Sequence, residues 1–257
     1  MQTNVRGLVI RTVDIRETDR LITIFTEEMG VVSAMARGAR SLKSRKMSST
    51  MQFCYSDFVL YMQGDKYWIK EASLIESFFN IRETIEGLAL ASYIAEVLSD
   101  VTIAEADNDL LRLSLNSLYA ISSGKYELDK IKAVFEMRAA SILGFMPDVI
   151  SCGRCGEKNG EFFFDIMAGG IECKNCRREA ELRRELPESP HETRVVCILS
   201  EGAKMALGYA IYSPLDKLFS FKISDEDMHL FARASEEYLL NQVGHTYKTL
   251  EFYKKLI

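Results

Sequence analysis

The chain is poor in the residues and motifs that bond-making chemistry uses. Its three histidines, His191, His229 and His245, are too scattered to build a His-based site. It has no G-x-x-x-x-G-K-[ST] phosphate loop, no G-x-S-x-G elbow and no H-E-x-x-H run. Those absences exclude the common phosphate-loop, serine-hydrolase and metalloprotease designs, and an enzyme is not expected. The acids Asp14, Glu17 and Asp19 read as a polar turn between strands. No apolar run reaches the ~18 residues that a membrane-spanning helix needs. Met1-Gln-Thr-Asn-Val-Arg6 enters a strand-like pattern directly, unlike a secretory signal. The expected location is cytoplasmic, with no membrane partner. Internal repeats and low-complexity tracts are lacking too. So is a strong excess of positive charge: the net charge over 257 residues is −5.

What is present is a patterned set of cysteines. Cys152-Gly-Arg-Cys155 and Cys173-Lys-Asn-Cys176 have the C-x₂-C…C-x₂-C spacing of a structural zinc site, with residues 156–172 between the pairs. Two intervening residues let a tight turn point both sulfurs at one ion ~2.3 Å away. Gly153 and Gly156 supply backbone freedom for such a knuckle. Glu161–Asp165 and Gly169–Cys173 read as a hairpin carrying the second pair. Four cysteine ligands leave no position for water, so one zinc ion here would hold shape. Two disulfides are the alternative, without other signs of an oxidising compartment. A redox dithiol would sit near a βαβ pattern, and a deaminase site would need His-x-Glu and Pro-Cys-x-x-Cys; neither context is present. Cys54 and Cys197 lie in apolar stretches and read as buried thiols.

The patterning predicts an α+β chain in two domains, 1–80 and 81–257. Val5–Val13, Leu21–Thr26, Val31–Met35, Phe53–Met62 and Tyr67–Ile75 are strand-like. Five strands in so short a span suit an OB-fold barrel, with an SH3-like barrel as the alternative. From residue 81 the period changes to helical. Helices are predicted over about 85–101, 110–124, 128–144, 192–208 and 225–243, with 247–256 continuing the last. Arg138 lies beside the stripe of the third helix and needs a partner, for which nearby glutamates are candidates. Pro147 stops that helix before the zinc knuckle at about 150–180, and 183–190 is a turn-rich linker.

Charge is unevenly spread. Residues 1–80 carry 11 basic and 9 acidic residues, and the rest 21 and 28. Arg37, Arg40, Lys43, Arg45 and Lys46 fall in one stretch without an acid. A basic loop on a barrel suits single-stranded nucleic acid, where a positive groove combines with aromatics that stack on bases. A solvated turn is the bland alternative. Phe53, Tyr55, Phe58, Tyr61, Tyr67 and Trp68 are candidate stacking residues, half of them expected inside. Arg154, Lys174, Arg177 and Arg178 on the knuckle could extend a DNA track. At the end of the chain, Lys248, Lys254 and Lys255 beside Leu250, Phe252 and Tyr253 could rim a groove for an acidic peptide; helical packing is the simpler role.

Three groups of residues resemble the bacterial RecO family of recombination mediators. The first is Arg6-Gly-Leu-Val-Ile-Arg11, Glu17-Thr-Asp-Arg-Leu-Ile-Thr-Ile-Phe-Thr26, Gly30, Ala36-Arg-Gly-Ala-Arg40 and Lys43-Ser-Arg45. The second is Phe135-Glu-Met-Arg138, Leu143-Gly-Phe-Met-Pro147 and Cys152-Gly-Arg-Cys155-Gly156, followed by Cys173 and Cys176. The third is Tyr247-Lys-Thr-Leu-Glu-Phe252. Ile15-Arg16 departs from the family pattern. The resemblance implies an N-terminal OB-fold and a helical domain with an inserted zinc knuckle. It implies binding of single- and double-stranded DNA, annealing, partnership with RecR, contact with the acidic tail of single-strand-binding protein, and loading of RecA at gaps, at the nucleoid during repair. Arg11 and Arg20 join the candidate DNA-binding set on this basis. A zinc-stabilised protein–protein adaptor with little DNA affinity is the alternative function.

Overall fold

A computed structural model describes residues 2–15, 17–101, 107–183 and 195–257. Residues 184–190 of the predicted linker, the start of the predicted 192–208 helix, and Arg16 lie outside the described residues. Two compact units are present, one of residues 1–125 with 247–257 and the other of residues 126–246.

The first unit is built on five strands: β1 (Gln2–Ile15), β2 (Asp19–Thr26), β3 (Gly30–Ala36), β4 (Tyr55–Gln63) and β5 (Lys66–Glu76). They close into a barrel in the order β1-β2-β3-β5-β4, an OB-fold-like arrangement. Closure is made by a short parallel seam that pairs Ala34 with Tyr67 and Met35 with Trp68. Alternation sends Val5, Val9, Ile22, Ile24, Val32, Ala34, Phe58, Leu60 and Ile69 inward to one apolar core. Gly7 faces the same way. A Cβ on it would stand 2.6 Å from the Phe25 carbonyl oxygen and 2.6 Å from Ile24 Cγ2, so only glycine lets β1 and β2 approach this closely.

The predicted strand at Phe53 begins two residues late. Phe53 adopts φ +63, in the left-handed region, and its amide donates to Val9 O while Val9 N donates to Cys54 O. This segment seals the bulge at which β1 slips register between Val9 and Arg11.

Helices α1 (Ile85–Val101) and α2 (Asn108–Ser123) complete the unit together with α7 (Lys248–Tyr253) from the chain's end. Asp107 caps α2 by accepting from Leu110 N at 2.9 Å. The C-terminal stretch does not continue the preceding helix. Gly244 closes that helix in the left-handed conformation, and α7 instead packs on α1. Tyr247 Oη donates to Asp100 at 2.9 Å, and Thr249 N donates to Glu96 at 3.0 Å. Leu250 and Tyr253 are buried, leaving Phe252 as the exposed member of the proposed groove.

In the second unit, α3 (Leu128–Ile142) packs on α6 (Asp225–Val243), with α5 (Glu201–Tyr212) against both. Lys132 is buried between Glu136 at 2.9 Å and Glu236 at 2.6 Å, which satisfies its charge inside the helical core. Arg138 donates to the Ser213 carbonyl at 2.6 Å, a backbone acceptor on a distant segment. A three-stranded sheet, β6 (Phe162–Asp165) flanked by β7 (Gly170–Cys173) and β8 (Val196–Leu199), lies in the same unit, with α4 (Lys174–Leu182) following β7. The predicted helix over 192–208 therefore splits. Val196–Leu199 is a strand paired with β6, and α5 starts behind the Ser200 cap. Cys197 is buried on that strand. Burial and the Glu237 carboxylate push its thiol up to about 12, so it is inert. Among the described residues no helix is long and apolar enough to cross a membrane.

Candidate metal centre and nucleic-acid interface

Cys152 and Cys155 sit in the loop before β6, Cys173 ends β7, and Cys176 lies in the first turn of α4. Strand pairing carries the third cysteine toward the first two: Phe162 is the register partner of Cys173, and Gly153 N donates to Ile171 O at 3.0 Å. Gly156 takes φ +77, which makes the first knuckle turn possible; Gly153 needs no such freedom. The four sulfurs all lie within 4.8 Å of one another, and Cys155 and Cys173 are 3.6 Å apart. A tetrahedron with sulfurs ~2.3 Å from its centre has edges of ~3.8 Å, so the cluster is sized for one ion. All four cysteines are free, and they converge as one group rather than as two bridged pairs.

The local electrostatics fit a cation. Cys173 N donates to Cys152 Sγ at 3.3 Å, and Cys176 N to Cys173 Sγ at 3.5 Å. Burial opposes ionisation of Cys152, yet the amides of Cys173, Cys155 and Arg154 outweigh it and bring the thiol down to about 6. Cys176 moves the other way, chiefly through the neighbouring Cys155 sulfur. Sulfurs this close resist joint ionisation unless a positive ion lies between them.

The basic stretch forms the connection from β3 to a short 3₁₀ turn, Ser48–Thr50. Its root is gripped by the β1–β2 turn. Gly38, at φ +65, donates its amide to Asp19 Oδ1 at 2.8 Å, and Arg40 N donates to Thr18 O at 2.9 Å. The Glu-Thr-Asp-Arg and Ala-Arg-Gly-Ala-Arg segments are thus two halves of one junction. Asp14 joins it by pairing with Arg20 at 2.9 Å and Arg40 at 3.2 Å.

The candidate DNA-binding residues separate into distinct environments. Arg37 is exposed and stacks its guanidinium 4.9 Å from the centre of the Trp68 ring. Lys43 and Arg45 are exposed on the loop, and Arg11 is exposed on β1. Lys46 is half-buried, with burial lowering its affinity for a proton, and donates to Ile69 O at 3.4 Å. Arg177 and Arg178 belong to the other unit. There Arg177 pairs with Glu181 at 3.2 Å and lies over Phe163, Arg154 pairs with Glu172 at 2.7 Å, and Lys174 pairs with Glu161 at 3.3 Å. Among the aromatics, Phe53 and Phe58 are core, and Tyr55 donates to Glu27. Tyr67 packs against the barrel core, whereas Tyr61 and Trp68 are half-buried. The Arg37–Trp68 stack was not visible in the sequence, because it depends on the parallel register of β3 and β5.

Comparison with known proteins agrees along most of the chain. The family described as recombination protein O N terminal matches residues 1–78, and recombination protein O C terminal matches residues 82–251. A DNA repair protein RecO from Acetivibrio thermocellus is 34% identical over 252 residues, covering 97% of this chain and 95% of its own length. One from Clostridium kluyveri is 34% identical over 178 residues, 68% of each chain. One from Listeria monocytogenes serotype 4b is 28% identical over 251 residues, 97% of this chain and 93% of its own.

Proposed function

The chain belongs to the RecO family of DNA repair proteins, and from that premise we propose that it binds and anneals single-stranded DNA and helps load a recombinase onto gaps coated by single-strand-binding protein. The observation that carries this reading is the basic loop 37–46, free of acids and fastened at its root to a closed barrel. Annealing makes and breaks no covalent bond. It needs cations that bring two polyanions together and release them once paired. Lysine and arginine do this by displacing condensed counterions, which makes binding weaken as salt rises. Arg37, Lys43 and Arg45 are the primary phosphate contacts. Arg40 is secondary, because an exposed pair such as its contact with Asp14 contributes only ~0–1 kcal/mol and exchanges readily for a phosphate. Arg20 stands further back, half-buried and also donating to Thr50 O at 3.5 Å. Arg11 flanks them, and Lys46 holds the loop rather than the strand.

One zinc ion on Cys152, Cys155, Cys173 and Cys176 is the cofactor that suits the donor set. When bound it supplies cross-linking and charge neutralisation, with no open position for chemistry. The chain's own part is to hold the sulfurs convergent through β6–β7 pairing and the amides of Cys173 and Cys176.

Residues 1–80 are assigned to DNA, and 81–257 to protein partners: RecR, the acidic tail of single-strand-binding protein, and through them RecA, in the cytoplasm at the nucleoid. The knuckle cations Arg154, Lys174 and Arg177 pair with glutamates, and residues 81–257 carry 28 acids against 21 bases. That favours an adaptor role for this part. The test is fluorescence anisotropy of labelled oligo-dT, with and without RecR, over a range of salt. Changing Lys43 and Arg45 together to Ala should flatten the log–log salt slope by about 1.4, two contacts at ~0.7 each. An unchanged slope would assign the loop to solubility. No binding and no annealing under any condition would leave the adaptor reading in place.

A further inference from the structure

Cross-strand register draws one outward-facing row around the barrel. Leu21 on β2 pairs with Met35 on β3, Met35 with Trp68 on β5, and Trp68 with Tyr61 on β4. Each is half-buried, and each alternates with a core residue: Ile22, Ala34, Ile69 and Leu60. By the period of the strand, the row stands on the outer surface. Arg37 lies over the Trp68 ring, and β5 carries exposed lysines on both sides of the tryptophan, Lys66 and Lys70. Lys70 sits at the bulge where β5 gains a residue against β4, and reaches Gln2, the register neighbour of Tyr61, at 3.3 Å. The indole Nε1 is buried and has no hydrogen-bond partner among the described residues, so one edge of the ring is packed into the protein and Arg37 lies over its face, without a polar tether.

We propose that Trp68, flanked by Tyr61 and Met35, is a base-stacking platform for single-stranded DNA, and that Arg37 is its exchangeable lid. This rests on the DNA-binding reading above and gives it a site. The occupant is fixed by the chemistry of the row. An aromatic face takes any base, and cations on either side of it take the phosphates that accompany that base. An acidic peptide would meet the cations but has no use for the indole face beneath Arg37. A base entering the platform displaces the guanidinium from the ring, and Arg37 moves to the adjacent phosphate. Both partners of the original stack then keep a favourable contact: the ring with the base, the cation with an anion. The loop root at Gly38, fixed to Asp19, keeps Arg37 within reach throughout.

Trp68 is the only tryptophan in the chain, so its fluorescence reports this one position. Full-length protein is titrated with a dT oligonucleotide and, separately, with an abasic oligonucleotide carrying the same number of phosphates. The expected result is quenching by dT, no quenching by the abasic strand, and about tenfold weaker binding of the abasic strand. Trp68→Leu should lose about tenfold on dT and little on the abasic strand. Circular dichroism checks its fold, and the two-ligand comparison on the unaltered protein stands even if that variant fails. Equal affinity for both strands with no quenching would overturn the platform while leaving phosphate binding by the loop intact. Binding of neither strand at low salt would overturn the DNA-binding reading as well.

Discussion

Gly7→Ala is a sharp test of the barrel, because the consequence follows from one close approach. The added Cβ would stand 2.6 Å from a backbone carbonyl oxygen, Phe25 O, and 2.6 Å from Ile24 Cγ2. Ile24 belongs to the barrel core, and its neighbours leave little room to turn. The carbonyl cannot move without moving β2, whose register with β1 runs from Gly7–Thr26 to Ile15–Asp19. Relief therefore needs the seam to open by roughly half an ångström or more. Overpacking that must be met by backbone shift costs ~1–3 kcal/mol, and contact with main chain on one side puts this case near ~3. Domains are stable by only ~5–15 kcal/mol, so the loss is a large fraction. At ~4 °C per kcal/mol for a unit of this size, the melting point should fall by about 10 °C. The assay is thermal unfolding followed by far-ultraviolet circular dichroism, with Gly124→Ala as a comparison. Gly124 has open space for a Cβ and shows only the strain of its left-handed backbone. A Gly7→Ala melting point within 2–3 °C of the unaltered protein, against that ~10 °C expectation, would refute the close-approach argument.

Asp19→Ala should free the Gly38 amide and loosen the loop root; stability should fall by about 1 kcal/mol, and DNA affinity by a few-fold, in anisotropy titrations at fixed salt. Cys173→Ser should abolish metal binding, with elemental analysis giving one ion per chain for the unaltered protein and none for the variant, and increased proteolysis within residues 126–246. Burial and the hydrogen bond to Asp100 raise the Tyr247 hydroxyl above its usual ~10. The unfolded tyrosine therefore ionises first, and the stability it contributes is complete below ~10 and declines as pH rises past that value. Hydrogen exchange in α7 should accelerate above pH ~10 and not below it, after correction for intrinsic rates, and Tyr247→Phe should remove that dependence.

The barrel was legible because its strands alternate, and a period of two states both the element and its inner face. The cysteine cluster was legible because ligand spacing is itself the signal. What stayed hidden depends on contacts distant in sequence. Val196–Leu199 is a short apolar run, equally good as helix or strand, and pairing with β6 decides it. Phe53 looks like the first residue of a strand, yet the β1 bulge requires a reversal there, and an aromatic is an unusual occupant of a left-handed position. Gly244 was a readable helix stop, and it separates α6 from α7 as the C′ glycine rule would have it. The side on which α7 then packs was not readable, because Tyr247 finds Asp100 only in the folded unit.

Counting charge along this chain misjudges it for the same reason. Arg20 and Arg40 face Asp14, Lys46 turns to a backbone carbonyl, and Arg154, Lys174 and Arg177 each meet a glutamate. Each of these cations already has an acceptor within its own unit, so their number in the sequence is a poor predictor of where a polyanion lands. Arg37, Lys43 and Arg45 are exposed, on a loop whose root is fixed by an acid that read only as part of a polar turn in the sequence. Asp19 is thus a positioning residue: its negative charge lies at the base of a positive loop and orders it without neutralising its tip. A net charge of −5 is then compatible with binding DNA, provided the contact is small and local. A small contact releases few counterions, so its affinity is moderate and its salt slope shallow. The proposed strand annealing would benefit from both properties, because a protein that anneals has to let go of two strands as soon as they hold each other.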